Sequence, residues 1–322
     1  MLPFESGATF NPIILSRPTA KRIIGPIQGT HRISLEDDAG VAIGDYDAKP
    51  SRAKAGRRVA WQIAGTVAKR LSTLTLEQAD SVLAANHAGL TAATHAGAAS
   101  ARIAPFGVDT ERFRPTDTRN LHRGWTTFVV VAYLVARKRV GDIIEALVFV
   151  ARRRNDIRLR IVGDGPERQR LVAPAQNLGV AAICEFVGRV PHDCVVEEYR
   201  KADVLVSALA SETYGMSLLE AMACGFPVIA ARNNGPIGIV EDGKTGYLWS
   251  VGEINQLALL MHIICDNSVV TGLIGMCALE SINKEYAWKA VAENMLVYIN
   301  PVLLENSIYA DIKTSVSALH AA

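Results

Sequence analysis

From residue 126 onward, short apolar runs rich in β-branched residues alternate with stretches whose apolar residues recur at helical spacing. Continuous apolar strands separated by helices are typical of a parallel sheet covered on both faces. The pattern predicts a doubly wound α/β domain with its ligand crevice at the carboxyl ends of the strands. Helices are predicted between the strands and throughout 253–300. The predicted strands are "TTFVVVAYL" (126–134), "RLRIVG" (158–163), "ICEFVG" (183–188), "DVLVSAL" (203–209), "PVIAA" (227–231) and "GYLW" (246–249).

The chain before residue 108 has fewer strand patterns. Strands are predicted at 22–29, 80–86 and 101–107, and a helix is predicted at 56–79. A complete doubly wound domain has about five or six strands. We therefore predict that the N-terminal domain is incomplete.

The predicted organisation has three parts. A partial N-terminal Rossmann-like domain covers 1–108, a second Rossmann-like domain covers 109–300, and a C-terminal tail covers 301–322. The segment "GVDTERFRP" (107–115) is predicted to be the hinge between the domains. The predicted fold class is α/β, with two Rossmann-type doubly wound domains of which the first is incomplete.

Composition narrows the function classes. The chain has 322 residues, of which 49% are hydrophobic and 20% are charged, as in ordinary globular proteins. A net charge of +2 gives no reason to expect a nucleic-acid partner. The longest apolar run is well short of the ~20 residues of a membrane span, so we expect a cytoplasmic protein. The cysteines are odd in number and scattered, which argues against a disulfide framework or a zinc site: Cys184, Cys194, Cys224, Cys265 and Cys277.

The stretch "SETYGMSLLEAMACG" (211–225) places Glu220 in the middle of a strongly apolar helix. A buried carboxylate is costly unless hydrogen-bond donors reach it, and these come from the protein or from a ligand. We favour a ligand, because a carboxylate can accept both hydroxyls of a ribose diol. The alternative is a carboxylate that snorkels to solvent or pairs with a buried arginine.

The same helix is predicted to begin near a glycine. The N–H groups at its start have no intrahelical acceptor, so they are suited to bind an anion such as a diphosphate. These N–H groups belong to Tyr214, Gly215, Met216 and Ser217, and Glu212 is expected nearer the far end of the ligand, where a sugar would lie.

A diphosphate also requires cations. "VARKRV" (135–140) follows the first strand of the second domain, so its basic residues are expected at the mouth of the crevice. Lys138 is our candidate for the diphosphate because a compact ammonium can contact leaving phosphates as their charge develops. A solvated basic turn is the equal alternative.

Two further turns are weaker candidates for contacts with the ligand. The turn after Gly163 is glycine-rich, and the backbone around Val187 in "FVGRVP" follows the next strand and could meet a nucleobase. Asn233, Asn234 and Gly235 either line a sugar pocket or form an ordinary turn.

The stretch 49–61, "KPSRAKAGRRVAW", is rich in basic residues and ends at a tryptophan. Such a segment is suited to peripheral contact with an anionic membrane or a lipid-linked acceptor. A solvated basic loop before a helix is the alternative.

Together, these motifs resemble the C-terminal half of the nucleotide-sugar glycosyltransferases of family 4 (group 1) over residues 101–300. The pair Glu212 and Glu220 matches that family's E-x7-E motif. The matching segments, in the family's order, are "GVDTERFRP", "RLRIVGDGPERQRL", "EFVGRVP", "SETYGMSLLEAMACGFPVIA" and "GPIGIVEDGKTGYLW". The resemblance implies the GT-B fold, with the N-terminal part of the acceptor domain lacking.

The resemblance also implies roles for particular residues. Glu220 would hold the ribose of the donor, Glu212 would contact the donor sugar, and Lys138 would bind the diphosphate. The backbone of Tyr214, Gly215 and Met216 would contact sugar and phosphate, and the backbone near Val187 would read the base.

As to chemistry, the resemblance implies a hexosyltransferase that uses a UDP- or GDP-sugar, needs no metal or other cofactor, and retains anomeric configuration. The acceptor would be a glycan or a lipid-linked molecule.

Two positions depart from the family pattern. The family has G-R-L where this chain has Ala132-Tyr133-Leu134, so a phosphate-binding arginine is replaced by Tyr133, and Arg137 is the candidate to compensate. Gly238 stands where the family commonly has glutamate. These departures favour the alternative of a non-catalytic or decayed nucleotide-sugar-binding module. A glycoside hydrolase using the two glutamates is a third interpretation, and it leaves the predicted anion site without a role.

Overall fold

The computed structural model describes residues 13–15, 79, 81–116, 124–210, 214–233 and 235–303. The following lie outside these residues: the predicted strand at 22–29, the predicted helix at 56–79 except its last residue, the basic stretch 49–61, Glu212 and Asn234. The described residues form two compact units. One spans 105–294, and the other combines the residues up to 104 with those from 295 onward.

The larger unit contains a six-stranded sheet in which every strand pair is parallel. The strands are β4 (Thr126–Val131), β5 (Ile157–Val162), β6 (Cys184–Gly188), β7 (Val204–Ser207), β8 (Val228–Ala231) and β9 (Gly246–Trp249). Their order in the sheet is β6-β5-β4-β7-β8-β9. The chain therefore leaves the central β4 in one direction and returns to its other side at β7, which is the doubly wound arrangement predicted from the sequence.

Helices follow the strands in the predicted alternation. They are α2 (Val140–Ala151), α3 (Arg168–Asn177), α4 (Val195–Arg200), α5 (Met216–Ala223), α6 (Ile254–Asp266), α7 (Ser268–Ser281) and α8 (Trp288–Leu303). Successive parallel strands need crossover connections, and α2 to α5 supply those between β4 and β8. A 3-10 helix, Pro236–Gly238, lies between β8 and β9, and α6 to α8 follow β9. A π-helical turn, Ile282–Tyr286, joins α7 to the residues before α8.

The core of this unit is continuous from the sheet into the helices. Strand residues alternate between the two faces, and the four central residues of β4 are buried on both. In β5 the apolar residues are buried, whereas Arg158 is exposed and Arg160 is partly buried. Phe128 of β4, Leu147 of α2 and Trp249 of β9 belong to one buried cluster and are completely inaccessible to solvent.

The smaller unit contains the described strands β1 (Ile13–Leu15), β2 (Ser81–Ala84) and β3 (Ala101–Ile103). β2 pairs with β3 in parallel, and β1 pairs with β2 in antiparallel orientation. The sequence predicted β2 and β3 but missed β1, which is only three residues long. It also missed helix α1 (His87–His95), whose first turn is capped by Asn86.

Two glycines let the turns after β4 and β5 approach closely. Gly163 and Gly165 both have positive φ angles, of 132° and 158°. A Cβ atom at Gly163 would overlap the carbonyl of Ala132, and one at Gly165 would overlap the carbonyl of Leu134. The glycine-rich turn is therefore required by backbone packing.

We expect Gly163→Ala to lower the free energy of unfolding by about 1–3 kcal/mol, because the added methyl group forces backbone displacement in a packed region. The measurement is the midpoint of urea unfolding followed by circular dichroism. Gly141→Ala is the matched control. It adds the same methyl group on α2, where the nearest atom would be 3.9 Å away, and it should leave stability unchanged or raise it by up to about 1 kcal/mol. A Gly163→Ala protein as stable as the unmodified chain would contradict this account.

Candidate functional site

The candidate site lies where the strand order reverses. β4 is hydrogen-bonded to both β5 and β7, and the chain winds outward from this pair in opposite directions. In doubly wound sheets the ligand crevice lies at the carboxyl ends of two such strands, so the turns after β4 and β7 form the candidate site. A backbone hydrogen bond from Ala210 to the carbonyl of Arg137, 3.4 Å long, joins the two turns.

Helix α5 begins in this crevice. Gly215 precedes its first turn with φ 106° and ψ 49°, in the left-handed region that favours glycine. A Cβ there would lie 2.9 Å from Leu218. Met216 and Ser217 occupy the first turn, where N–H groups have no intrahelical acceptor. The predicted helix start is thus confirmed.

Glu220 is buried on α5, as the apolar pattern predicted, with 8% of the residue exposed. The protein itself supplies contacts that the sequence analysis did not foresee. Tyr199 on α4 donates to Oε2 over 2.8 Å, and His192 Nε2 lies 3.3 Å from Oε1. They were missed because the tyrosine and the histidine lie 21 and 28 residues away along the chain. That a ligand also donates to Glu220 stays a prediction.

A second buried glutamate provides a contrast. Glu198 on α4 forms ion pairs with Arg160 at 2.6 Å and with Lys201 at 2.7 Å. Burial alone would raise the pKa of Glu198, but these two cations lower it below its ordinary value. No arginine or lysine in the described part of the chain forms an ion pair with Glu220. Glu198 therefore belongs to structural ion pairs, whereas Glu220 is buried without an arginine or lysine partner among the described residues.

The protonation behaviour of Glu220 follows from this environment. Burial raises the pKa of its carboxyl above the ordinary value, against the lowering effects of the Tyr199 hydrogen bond, His192 and Arg112. Burial also raises the pKa of the Tyr199 hydroxyl well above its usual value, and the charge of Glu220 adds to this effect. Tyr199 therefore acts as a neutral donor.

Arg112 and Phe113, which precede β4, contact the outer side of the cluster formed by Glu220, Tyr199 and His192. Arg112 donates to the carbonyl oxygen of His192 and lies 3.2 Å from the carboxylate of Asp193. The Phe113 ring packs edge-on against the rings of Tyr199 and His192, at centroid distances of 6.1 and 6.2 Å. The segment predicted as a hinge thus also supports the site.

The basic turn after β4 is a 3-10 helix, Ala136–Lys138. It follows β4 directly, as predicted for Lys138, whose side chain is half-buried, whereas Arg137 is exposed. Tyr133, at the position of the family arginine, is 52% exposed. Arg139 adopts a left-handed conformation with φ 47° and pairs with Asp142 at 2.7 Å.

Other predicted site residues have structural partners. The Tyr214 ring is buried, and its hydroxyl donates to the carbonyl of Phe106 over 2.8 Å, so only its backbone can serve a ligand. Gly163 donates to the carbonyl of Gly188 over 2.8 Å. Val187 is half-buried in β6. Asn233 donates to the carbonyls of Leu209 and Ala231. These two bonds fit the alternative in which this residue belongs to an ordinary turn.

Sequence reasoning missed Tyr199, His192 and Arg112. A signal existed for two of them, because Arg112 and His192 lie in or beside the segments "GVDTERFRP" and "FVGRVP" that matched the family pattern. Nothing local marked Tyr199.

Among the described residues, no group of three or more His, Cys, Asp and Glu side chains could hold a metal ion, and metal independence stays a prediction.

No single helix among the described residues is long and apolar enough to cross a membrane. One sharply bent pair, Ile254–Asp266 with Ser268–Tyr286, meets the length and composition criteria only when taken together.

Comparison with known proteins gives a family match within the larger unit and longer matches to individual proteins. Residues 119–269 match the family described as Glycosyl transferases group 1. A sulfoquinovosyl transferase of Arabidopsis thaliana is 32% identical over 206 residues, which cover 61% of this chain and 39% of the relative. A GDP-mannose-dependent alpha-(1-6)-phosphatidylinositol monomannoside mannosyltransferase of Mycobacterium tuberculosis is 31% identical over 219 residues, covering 63% and 56%. The chain thus spans between about two fifths and just over half of these relatives.

Among solved structures, the Anabaena protein Alr3699/HepE, crystallised with UDP, superposes with a TM-score of 0.66 and 21% identity. The superposition covers 73% of this chain and 68% of that one. At this identity the likeness shows the fold alone, and that fold is GT-B.

We expect the buried carboxyl of Glu220 to make stability depend on pH. Its pKa is raised in the folded protein, so the native state binds more protons than the unfolded state once the pH exceeds the ordinary glutamate value of about 4.5. The contribution of Glu220 to stability is therefore complete below that pH and is lost as the pH rises through the folded pKa.

The measurement compares urea-unfolding midpoints of the unmodified chain and of Glu220→Gln over a pH series. The stability of the unmodified chain relative to the variant should decline as the pH rises above about 4.5. A constant difference over the whole series would show that the carboxyl has the same pKa in both states.

Proposed function

We propose that this chain is a group 1 glycosyltransferase and binds a nucleoside diphosphate sugar in the crevice beside β4 and β7. Its GT-B fold and its family match support this proposal. The observation that carries the proposal is Glu220. It is a carboxylate buried without an arginine or lysine partner among the described residues, in the helix that begins at Gly215. A protein gains nothing in stability from such a group, so a ligand contact is its best explanation.

The ligand class follows from the neighbouring groups. Helix α5 presents first-turn N–H groups and the positive end of its dipole to the crevice, which favours an anion. Lys138 follows β4 on the other side of the same crevice. An anion next to an acceptor-only carboxylate fits a molecule that carries both phosphates and a diol, as a nucleoside diphosphate does.

Within this proposal, Glu220 accepts the ribose hydroxyls, and the backbone of Gly215, Met216 and Ser217 contacts the diphosphate. Lys138 stabilises charge on the leaving phosphate, and the backbone near Val187 meets the base. Glu212 is proposed to contact the donor sugar.

The proposed reaction is transfer of a hexosyl group to a glycan or lipid-linked acceptor with retention of configuration. The bond between the anomeric carbon and the diphosphate breaks, and its electron pair leaves with the phosphate. The acceptor oxygen bonds to the same face of that carbon, and its proton passes to the leaving phosphate oxygen. Lys138 and the α5 N–H groups would stabilise the negative charge that develops there, without a metal ion.

The relatives support this class of donor. One is named as GDP-mannose-dependent, and the Anabaena protein was crystallised with UDP. We therefore propose a UDP- or GDP-sugar for this chain. We further propose a cytoplasmic location, with peripheral membrane contact through 49–61.

A non-catalytic nucleotide-sugar-binding module is the second candidate. It is favoured by Tyr133, which is exposed at the position of the family arginine, and by Gly238, which stands where the family commonly has glutamate. A Cβ at Gly238 would meet no atom within 4 Å, so the structure would tolerate a side chain there.

We expect UDP or GDP to stabilise the chain against thermal unfolding. A ligand at 100 times its Kd adds about 2.7 kcal/mol. The measurement is the melting temperature with UDP, GDP and ADP, for the unmodified chain and for Glu220→Gln, which loses the charge but keeps the shape. Glu145→Gln, an exposed change on α2, is the matched control. The proposal fails if no nucleotide stabilises the folded chain, or if Glu220→Gln and the control respond alike.

We expect Tyr133→Arg to tighten nucleoside diphosphate binding about tenfold, since a guanidinium adds a charged hydrogen bond to phosphate. Binding of the uncharged nucleoside should not change. Isothermal titration measures both, and Tyr133→Gln controls for loss of the ring. Sugar transfer that is absent from the unmodified chain and present in Tyr133→Arg would favour the decayed module. Equal transfer by both would exclude that alternative.

A further inference from the structure

His192 combines two features that are unusual together. Its side chain is 68% exposed, yet Nε2 lies 3.3 Å from Oε1 of the buried Glu220. A carboxylate can only accept, so Nε2 must carry the proton if this contact is a hydrogen bond. The histidine therefore covers the carboxylate from the solvent side.

The carboxylate is held from two directions. Tyr199 holds Oε2 from the buried side, and its hydroxyl also lies 3.3 Å from the carbonyl of Ser217. His192 contacts the other oxygen. An ionised carboxylate has about four lone-pair positions, two on each oxygen. The two side chains use one position on each oxygen, so one remains on each.

The remaining pair of positions matches the ribose diol that we propose Glu220 accepts. Two adjacent hydroxyls would bond to two different oxygens of one carboxylate only if the plane of that carboxylate is fixed. Tyr199 alone leaves Oε1 without a protein donor, so the second contact determines the orientation.

The turn that carries His192 is itself fixed. Arg112 donates to the carbonyl oxygen of His192 and pairs with Asp193, and Phe113 packs edge-on against the imidazole. Ordering an exposed side chain normally costs rotamer entropy. The contacts of Arg112 and Phe113 already order the His192 side chain in the free protein.

We propose that His192 is a positioning residue for the donor. It orients Oε1 of Glu220, so that the carboxylate accepts both ribose hydroxyls and distinguishes a ribonucleotide from a 2′-deoxyribonucleotide. This inference rests on the proposed function, because it assigns the specificity of the same site.

The test measures the Kd of UDP, 2′-deoxy-UDP, GDP and 2′-deoxy-GDP by isothermal titration. The proteins are the unmodified chain, His192→Ala, His192→Gln and Cys194→Ala. The unmodified chain should bind the ribonucleotide more tightly than its deoxy analogue. His192→Ala should weaken ribonucleotide binding about fivefold or more and leave deoxynucleotide binding nearly unchanged. His192→Gln, whose amide can donate in the same direction, should restore most of the difference.

The control and the contradicting outcomes separate the inference from the proposed function. Cys194→Ala changes the same turn at an exposed side chain, and it should keep the ribose preference. A histidine that only supported the turn would weaken both nucleotide forms equally in His192→Ala. Equal weakening, or tighter binding, would overturn the inference while nucleotide binding itself stands. An unmodified chain that binds none of the four nucleotides would overturn both.

Discussion

The buried carboxylate of Glu220 is the group on which the arrangement of the candidate site depends. Its charge is removed from water in the middle of an apolar helix, and this cost must be offset by hydrogen bonds. Tyr199 must therefore lie at 2.8 Å, which fixes α4 against α5, and His192 must reach over from the turn after β6. Arg112 and Phe113 then hold that turn. Three separate segments, residues 112–113, residues 192–200 and α5, thus meet around one side chain.

The sheet provides the second constraint, since it decides where that carboxylate lies. Because β4 is central and the winding reverses between β4 and β7, the carboxyl ends of these strands are where a doubly wound sheet binds its ligand. The start of α5 and the turn that carries Lys138 follow these two strands. Gly163 and Gly165 allow the turn after β5 to pack closely against Ala132 and Leu134 after β4. The location of the candidate site is therefore a consequence of the topology.

The two buried glutamates show how similar residues come to differ. Glu198 and Glu220 are almost equally inaccessible, at 6% and 8% exposure. Arg160 and Lys201 neutralise Glu198, and their charges lower its pKa, whereas Glu220 has neutral Tyr199 and the ring of His192, and its pKa is raised. The first arrangement stabilises the fold. The second retains a carboxylate whose remaining acceptor positions are available to a ligand, and this supports a functional role.

The sequence by itself determined the local features of this protein. Apolar periodicity predicted all six strands of the larger sheet and their parallel pairing, the E-x7-E spacing marked Glu220, and Gly215 marked the start of its helix. These properties are readable because they depend on neighbours a few residues apart. Only the tertiary structure decided which groups contact Glu220. Tyr199 and His192 reach it from 21 and 28 residues away along the chain, and Arg112 holds the turn of His192. The close packing of Gly163 against Ala132 is likewise a contact between separate turns. Such contacts depend on strand order and crossover direction, which no local pattern encodes.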